Sequence, residues 1–178
     1  IEEERRPIAL RNREGSKRHA EARVAIGKVW PDDIDEEGPE GDARRLVLTR
    51  KIAEIGNAEN ESLGIEIGYS YAGSSIVCNE PGDELQDDPL VSHPTTTPGY
   101  RPPAVYLADG RPLFELFGPE FTLLNFEPDT IDCREIERCA ASIGLPLAIS
   151  SVTDDHAKSL YQYNLILIRP DQHVAWCG

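Results

Sequence analysis

The sequence predicts an α/β protein, a mixed sheet with helices against it, preceded by a helical segment. Three observations carry that. Leu165 to Ile168 is a continuous apolar run, the pattern of a strand buried on both faces. Pro170-Asp171 then supplies a turn and His173 to Cys177 a second strand, which makes a β-hairpin. Upstream, the apolar runs Phe121–Phe126 and Leu147–Val152 flank a capped helical stretch, which is the layout of a parallel βαβ unit.

In chain order, residues 2 to about 26 are rich in Ala, Arg, Glu and Lys and read as a helix, with Pro7 near its start or at a kink. Their few apolar residues (Ile8, Leu10, Val24, Ile26) cannot form a core by themselves and are expected to lean on another body. Gly27 to Gly41 is a loop by its Pro, Gly and acidic content. Its carboxylates lack the Asp-x-Asp-x-Asp-Gly…Glu register of a calcium loop and read as solvated. Asp42 can cap a helix to about Ile55, with Leu48, Ile52 and Ile55 on one face and Gly56-Asn57 ending it.

Leu63, Ile65, Ile67 and Tyr69 alternate with Gly64, Glu66 and Gly68, the period of a half-buried strand that Ser75–Cys78 could extend or pair with. Residues 79–103 hold six prolines and almost no pattern, and read as an irregular surface arm. Val105–Leu107 is a brief strand, Asp109-Gly110 a turn, and Pro112–Phe117 a helical turn closed by Gly118. Asp132 and Glu135 form a capping box for a helix whose apolar face is Ile136, Cys139, Ala140 and Ile143, ended by Gly144. Asp154 or Asp155 caps a short helix through Tyr161. From Phe121 onward the order is strand, helix, strand, short helix, strand, strand. That is the order of a thioredoxin-like α/β sandwich.

The chain has 178 residues and a net charge of −14, with 32 acidic residues against 18 basic. Contact with phosphate needs a basic surface, so neither nucleic acid nor an anionic membrane is an expected partner. No apolar run approaches the ~20 residues of a membrane span. The chain contains no methionine and opens on a charged run, so a piece of a longer protein is expected. Cys78, Cys133, Cys139 and Cys177 show no Cys-x-x-Cys spacing and read as small buried hydrophobes in a reducing cytoplasm.

A thioredoxin-like frame would carry its redox pair where Cys133 stands. That region has one cysteine among acidic neighbours, and nearby carboxylates disfavour a thiolate. His19, His93, His156 and His173 are scattered, and no two stand at metal-ligand spacing. Gly-x-Gly-x-x-Gly and Walker patterns are absent, and Ser74-Ser75 has no nucleophile-elbow context. Local chemistry therefore assigns no catalytic, cofactor-binding or metal residue. His173 reads as a strand histidine without a catalytic partner, and Trp176 as a core or inter-domain packing residue.

The stretch Pro98-Gly99-Tyr100-Arg101-Pro102-Pro103-Ala104-Val105-Tyr106-Leu107-Ala108-Asp109-Gly110-Arg111 resembles the C-terminal region of FAD-dependent aromatic-ring hydroxylases. These are the phenol and chlorophenol monooxygenases, with the polyketide hydroxylases among them. Leu116-Phe117-Gly118, Phe121–Leu124, Gly68–Tyr71, Ser75–Val77 and the closing Arg169–Trp176 fit the same region, and Glu4–Ala9 resembles the helix that follows the FAD module. Ala104 stands where the family often has histidine, and Gln172 where it often has glycine. A non-Gly residue at Gln172 is strained if its φ is positive.

The resemblance implies a parent enzyme in which NAD(P)H reduces FAD and oxygen then hydroxylates a phenolic ring. Residues 1–60 would be the helical end of the FAD/substrate module, and 61–178 the thioredoxin-like domain with the 79–103 arm. That domain lacks redox cysteines in the family and serves structural or subunit-contact roles. The chain alone would bind no cofactor and be inactive. Its partners would be further copies or the FAD module. A free-standing, non-catalytic binding or dimerisation module is the alternative, and a thiol redox enzyme using Cys133 or Cys177 a third.

Overall fold

A computed structural model describes residues 2–56, 61–78 and 88–178. Asn57 and the 79–87 part of the expected arm lie outside the described residues. The chain divides into two compact units. One takes in residues up to Ile67 with Asp88–Ser92; the other takes in the described residues of 68–87 with His93–Gly178.

The first unit is helical. α1 (Glu2–Val29) carries Glu2, Glu3 and Glu4 in its first turn, where carboxylates suit the positive end of the helix dipole. α2 (Pro39–Ile55) opens three residues before the expected Asp42 cap, because Pro39 already has the φ of a first helical residue. Asp42 instead lies in the first turn, 2.6 Å from Nη2 of Arg45. The acidic loop is not simply solvated. Arg45 Nη1 donates to the carbonyls of Ile34 and Glu36, both at 2.9 Å, and Arg44 pairs with Asp33 at 2.8 Å. Gly56, at φ 83°, ends α2 as expected.

Residues 63–67 are not a strand. They form the short helix α3 (Leu63–Ile67). Five alternating residues satisfy either period, and packing decides between them. Ile65 lies on the bare face of Gly15 in α1, and Arg11 donates to the carbonyls of Gly64 at 2.7 Å and Ile65 at 3.2 Å.

The second unit holds a four-stranded sheet of β1 (Phe121–Asn125), β2 (Leu147–Ser151), β3 (Leu165–Ile168) and β4 (Val174–Cys177), in the order β2-β1-β3-β4. β1 and β2 are parallel, β1 and β3 antiparallel, β3 and β4 antiparallel, so the expected βαβ unit and hairpin form one mixed sheet. Alternate residues serve opposite faces. Leu124, Ile166 and Ile168 pack with Ala157 and Tyr161 of α5 (Asp155–Tyr161), while Leu123 and Leu165 pack with Cys133 and Ile136 beside α4 (Arg134–Ser142). Asp154 caps α5, accepting from Ala157 N–H at 2.8 Å.

Other expectations need correction. The Asp132–Glu135 capping box does not form, because the Asp132 carboxylate is taken by Arg134, with backbone N–H and guanidinium both donating to it. On α4, Cys139 is exposed and Ile143 is 77% exposed, so the buried stripe is Cys133, Ile136 and Ala140. Val105–Leu107 makes only a bridge from Tyr106 to Pro112, and Pro112–Phe117 a 3-10 turn over Leu113–Leu116. Ser75–Cys78 is not a strand. Trp176 lies at the surface, 36% exposed, because the extra residue Ala175 puts it opposite Leu167 and on the other face from Val174, which pairs with Ile168 on the core side.

The described part of the arm is not an excursion. Gly99 N–H donates to Val174 O at 2.7 Å, Val174 N–H to Tyr100 O at 2.9 Å, and Cys78 N–H to Ala175 O at 2.8 Å. Irregular chain thus satisfies the outer edge of β4, which would otherwise present unpaired backbone groups. Leu167 faces Trp176 and Ile168 faces Val174, which leaves Ala175 as the extra residue of a β-bulge.

Gly99 has φ 93°, and a Cβ there would meet Ala72 N at 2.5 Å. Gly110 has φ 84° with open space around it. Gly110→Ala is expected to cost about 1 kcal/mol from conformation alone, and Gly99→Ala at least ~2 kcal/mol because backbone must also move. Equilibrium urea unfolding of both variants checks the order, and equal losses would contradict this account of the edge.

Candidate functional site

β1 leaves the sheet at Asn125 and reaches α4 through residues 126–133, beside a cleft of about 400 Å³ lined in part by Thr130, Asp132, Cys133, Ile149 and Ser151. In a thioredoxin-like frame this is the redox position. Here one buried amide lines it and ties its turn. Asn125 Nδ2 donates to Ile131 O at 3.0 Å and to Cys133 Sγ at 3.3 Å, while its Oδ1 accepts from Glu127 N–H at 2.8 Å. The Asp132 carboxyl, hydrogen-bonded by the Arg134 side chain and then its backbone N–H, has its pKa lowered to about 2. None of the four cysteines is in a disulfide. The arrangement holds a turn shut and gives the Cys133 thiol no disulfide partner.

The second concentration of polar groups lies at the turn of the β3–β4 hairpin. Arg169 is 6% exposed; its Nε donates to Asp171 Oδ1 at 3.1 Å and its Nη2 to Oδ2 at 2.9 Å. Its guanidinium carbon sits 4.9 Å from the Tyr71 ring centroid, a cation–π distance. His173 is 1% exposed, with Nδ1 3.0 Å from Asp171 O and its ring 4.7 Å from Tyr71 and 5.1 Å from Tyr69. Its Nε2 is buried with no hydrogen-bond partner among the described residues. Burial by itself would raise the Asp171 carboxyl, but the hydrogen bond with His173 and the charge of Arg169 outweigh it and hold its pKa at about 2. Gln172 has φ 67°, so the strain expected at this non-glycine position is present, and its Oε1 accepts from Arg101.

His173 therefore sits at the end of the turn among aromatic rings. His19, His93 and His156 belong to other segments of the chain: α1, the 93–103 segment and α5. Among the described residues no three of His, Cys, Asp and Glu converge to hold a metal ion. Sequence reasoning passed over Asn125, Tyr71 and the Arg169–Asp171 pair. The available signals were an amide in the last position of an apolar strand, and opposite charges two residues apart across a proline turn.

Kinship with known proteins bears on what this frame belongs to. Residues 95–178 match the family model described as aromatic-ring hydroxylase, C-terminal. The chain carries the C-terminal region of the aromatic-ring hydroxylases. It is 30% identical over 99% of its length to the FAD-dependent monooxygenase opdD of Penicillium oxalicum, and 35% identical over 68% of its length to the FAD-dependent monooxygenase apdD of Emericella nidulans. Among solved structures, the rebeccamycin biosynthetic enzyme RebC with reduced flavin superposes on 99% of the chain with a TM-score of 0.81 and 31% identity. The chain spans 35%, 21% and 32% of the lengths of these three relatives. The hydroxylase region so identified includes both the closed β1–α4 turn and the hairpin with its buried ion pair. No helix among the described residues is long and apolar enough to cross a membrane.

Two outcomes are expected. Asn125→Ala removes three hydrogen bonds around buried groups and should cost about 2 kcal/mol or more in urea unfolding; a neutral result would mean the turn is held otherwise. For Asp171 the folded value of about 2 lies below the unfolded 3.8. Its contribution is fully present above the unfolded value and is lost as pH falls from about 5 towards 2, amounting to about 2 kcal/mol. Asp171→Asn should be less stable than the parent at pH 7, and the gap should narrow on acidification; a gap independent of pH would refute the assignment.

Proposed function

We propose that this chain is the C-terminal part of a flavin-dependent aromatic-ring monooxygenase, in which NAD(P)H reduces FAD and oxygen is used to hydroxylate a phenolic ring. The observation that carries this reading is the match of residues 95–178 to the aromatic-ring hydroxylase C-terminal model, with similarity to an FAD-dependent monooxygenase over 99% of the chain. The part played by these residues is structural: a rigid mixed-sheet domain with an edge satisfied by its own loops, and a helical unit that packs against the flavin-bearing body or supports contact between subunits. The enzyme works in the reducing cytoplasm, a reading supported by four cysteines outside any disulfide.

FAD itself does not fit the residues present. A dinucleotide is held by a Gly-rich turn between a strand and the N-terminus of a helix, which cradles the pyrophosphate. Here the turn between β1 and α4 carries Glu127, Asp129 and Asp132, and Glu135 and Glu137 lie in the helix's first turn. Those carboxylates repel a pyrophosphate. The flavin chemistry accordingly belongs to a body other than these 178 residues.

The test compares this chain with the full-length protein. The full-length protein is expected to purify yellow and to consume NAD(P)H and oxygen when phenols are supplied, while the 178-residue chain stays colourless and inert. A colourless full-length protein, or phenol-dependent NAD(P)H oxidation by the chain alone, would overturn the reading.

A further inference from the structure

The sheet has two outer edges, and they are treated differently. The edge of β4 is closed by irregular chain, whereas β2, at the opposite end of the order β2-β1-β3-β4, pairs with β1 alone. Val152 N–H donates to Asn125 O, so by the two-residue alternation of a strand the N–H and C=O of Leu147, Ile149 and Ser151 point away from β1. Among the described residues none of these outward groups has a partner. The edge also lacks the usual protection. Leu147–Ser151 carries no charge, no proline and no bulge, and Ala148 and Ser151 are exposed. Strand addition uses such an edge, with backbone hydrogen bonds for affinity and alternate side chains for selectivity.

The surroundings select the strand that fits. Leu147 and Ile149 face the α4 side, where they pack against the cluster of Leu123 and Cys133 yet stay half-buried. Ile149 and Ser151 also border the cleft at the β1–α4 turn. Asp129 and Glu137 line the same cleft, exposed and, among the described residues, without an ion-pair partner, while Asp132 is taken by Arg134. A strand arriving beside β2 therefore meets apolar surface at Leu147 and Ile149 and uncompensated negative charge beyond Ser151.

We propose that the outer edge of β2 is a docking site for an extended, positively charged segment of another protein, which joins the sheet as a fifth strand. Its backbone pairs with Leu147, Ile149 and Ser151, an apolar side chain lies against Leu147 and Ile149, and a Lys or Arg reaches towards Asp129 and Glu137. Charge selects this occupant over a second copy. A second β2 is itself uncharged, brings a further net charge of −14 with it, and leaves Asp129 and Glu137 unmatched.

The probe is the heptapeptide Lys-Thr-Val-Thr-Val-Thr-Lys, end-blocked and fluorescein-labelled, which presents the same side chains in either strand direction. It is titrated into the full-length protein by fluorescence anisotropy, and hydrogen–deuterium exchange of residues 147–151 locates it. Binding should saturate and slow exchange at 147–151, and the backbone N-methylated peptide and the peptide with Glu in place of Lys should each bind at least ~10-fold more weakly. Ser151→Pro removes one outward N–H at an edge position that tolerates proline, so the Tm should hold while binding falls about 10-fold. Asp129→Asn with Glu137→Gln leaves the backbone intact and should weaken binding at least ~3-fold, with the difference shrinking in high salt; this double variant decides if the proline variant loses Tm. Absence of saturable binding overturns the proposal, as does equal binding of the N-methylated or acidic peptide, or binding unchanged in the double variant. Slow exchange of 147–151 without peptide also overturns it: if it grows with protein concentration the occupant is a second copy, and if it does not, another part of the full-length protein covers the edge. The colour that tests the flavin reading is scored separately, so either can fail alone.

Discussion

The outer edge of β4 is the constraint on which the second unit depends. A terminal strand presents N–H and C=O groups that must find partners, and among the described residues no fifth strand joins this sheet. Gly99, Tyr100 and Cys78 supply those partners from irregular chain, and the bulge at Ala175 leaves that carbonyl to accept from Cys78. Such close approach of backbone to backbone requires a residue without a side chain at Gly99. It also brings Tyr71 down on the hairpin turn, where its N–H donates to Gly99 O at 2.8 Å and its ring lies over Arg169. A guanidinium covered in this way needs a counter-charge, and Asp171 provides it two residues on. Edge, glycine, aromatic lid and ion pair are successive consequences of one hydrogen-bonding requirement.

Parallel strands open a crevice at their C-terminal ends, and α/β proteins commonly place chemistry there. In this chain Asn125 lines that crevice, and its amide joins strand, turn and thiol. The same position that would serve disulfide exchange with two cysteines here serves closure of a turn. This accords with the structural role proposed above for a region that matches the C-terminal part of the aromatic-ring hydroxylases.

Legibility in the sequence followed pattern length and burial. The hairpin, β1, β2 and α5 were readable because apolar runs bounded by Pro, Gly and Asp leave little alternative for a few buried residues. Leu63–Ile67 was misread, since an alternation of five residues fits a turn of helix as well as a strand, and Arg11 and Gly15, about fifty residues away, decided it. The capping box at Asp132 failed because Arg134 competes for the carboxylate, and the exposure of Cys139 and Ile143 followed from a helix rotated relative to the apolar face drawn for it. Of the polar clusters, the ion pair was visible as letters, but its burial was not.

Read as letters, the chain already fixes the order of elements from Phe121 to Cys177, the acidic balance, the lack of a Cys-x-x-Cys pair and of a Gly-rich dinucleotide motif, and the kinship of Arg169–Trp176. Each of these is local, carried by neighbouring residues or by simple counts. Folding in three dimensions added the rest: the described part of the proline-rich segment becomes an edge strap, Asn125 ties the β1–α4 turn, Gln172 bears a positive φ in a turn with a buried ion pair, and Val47 on α2 stays exposed. Those features depend on contacts between residues far apart in the chain, whose partners are selected by backbone hydrogen-bond demand and by packing.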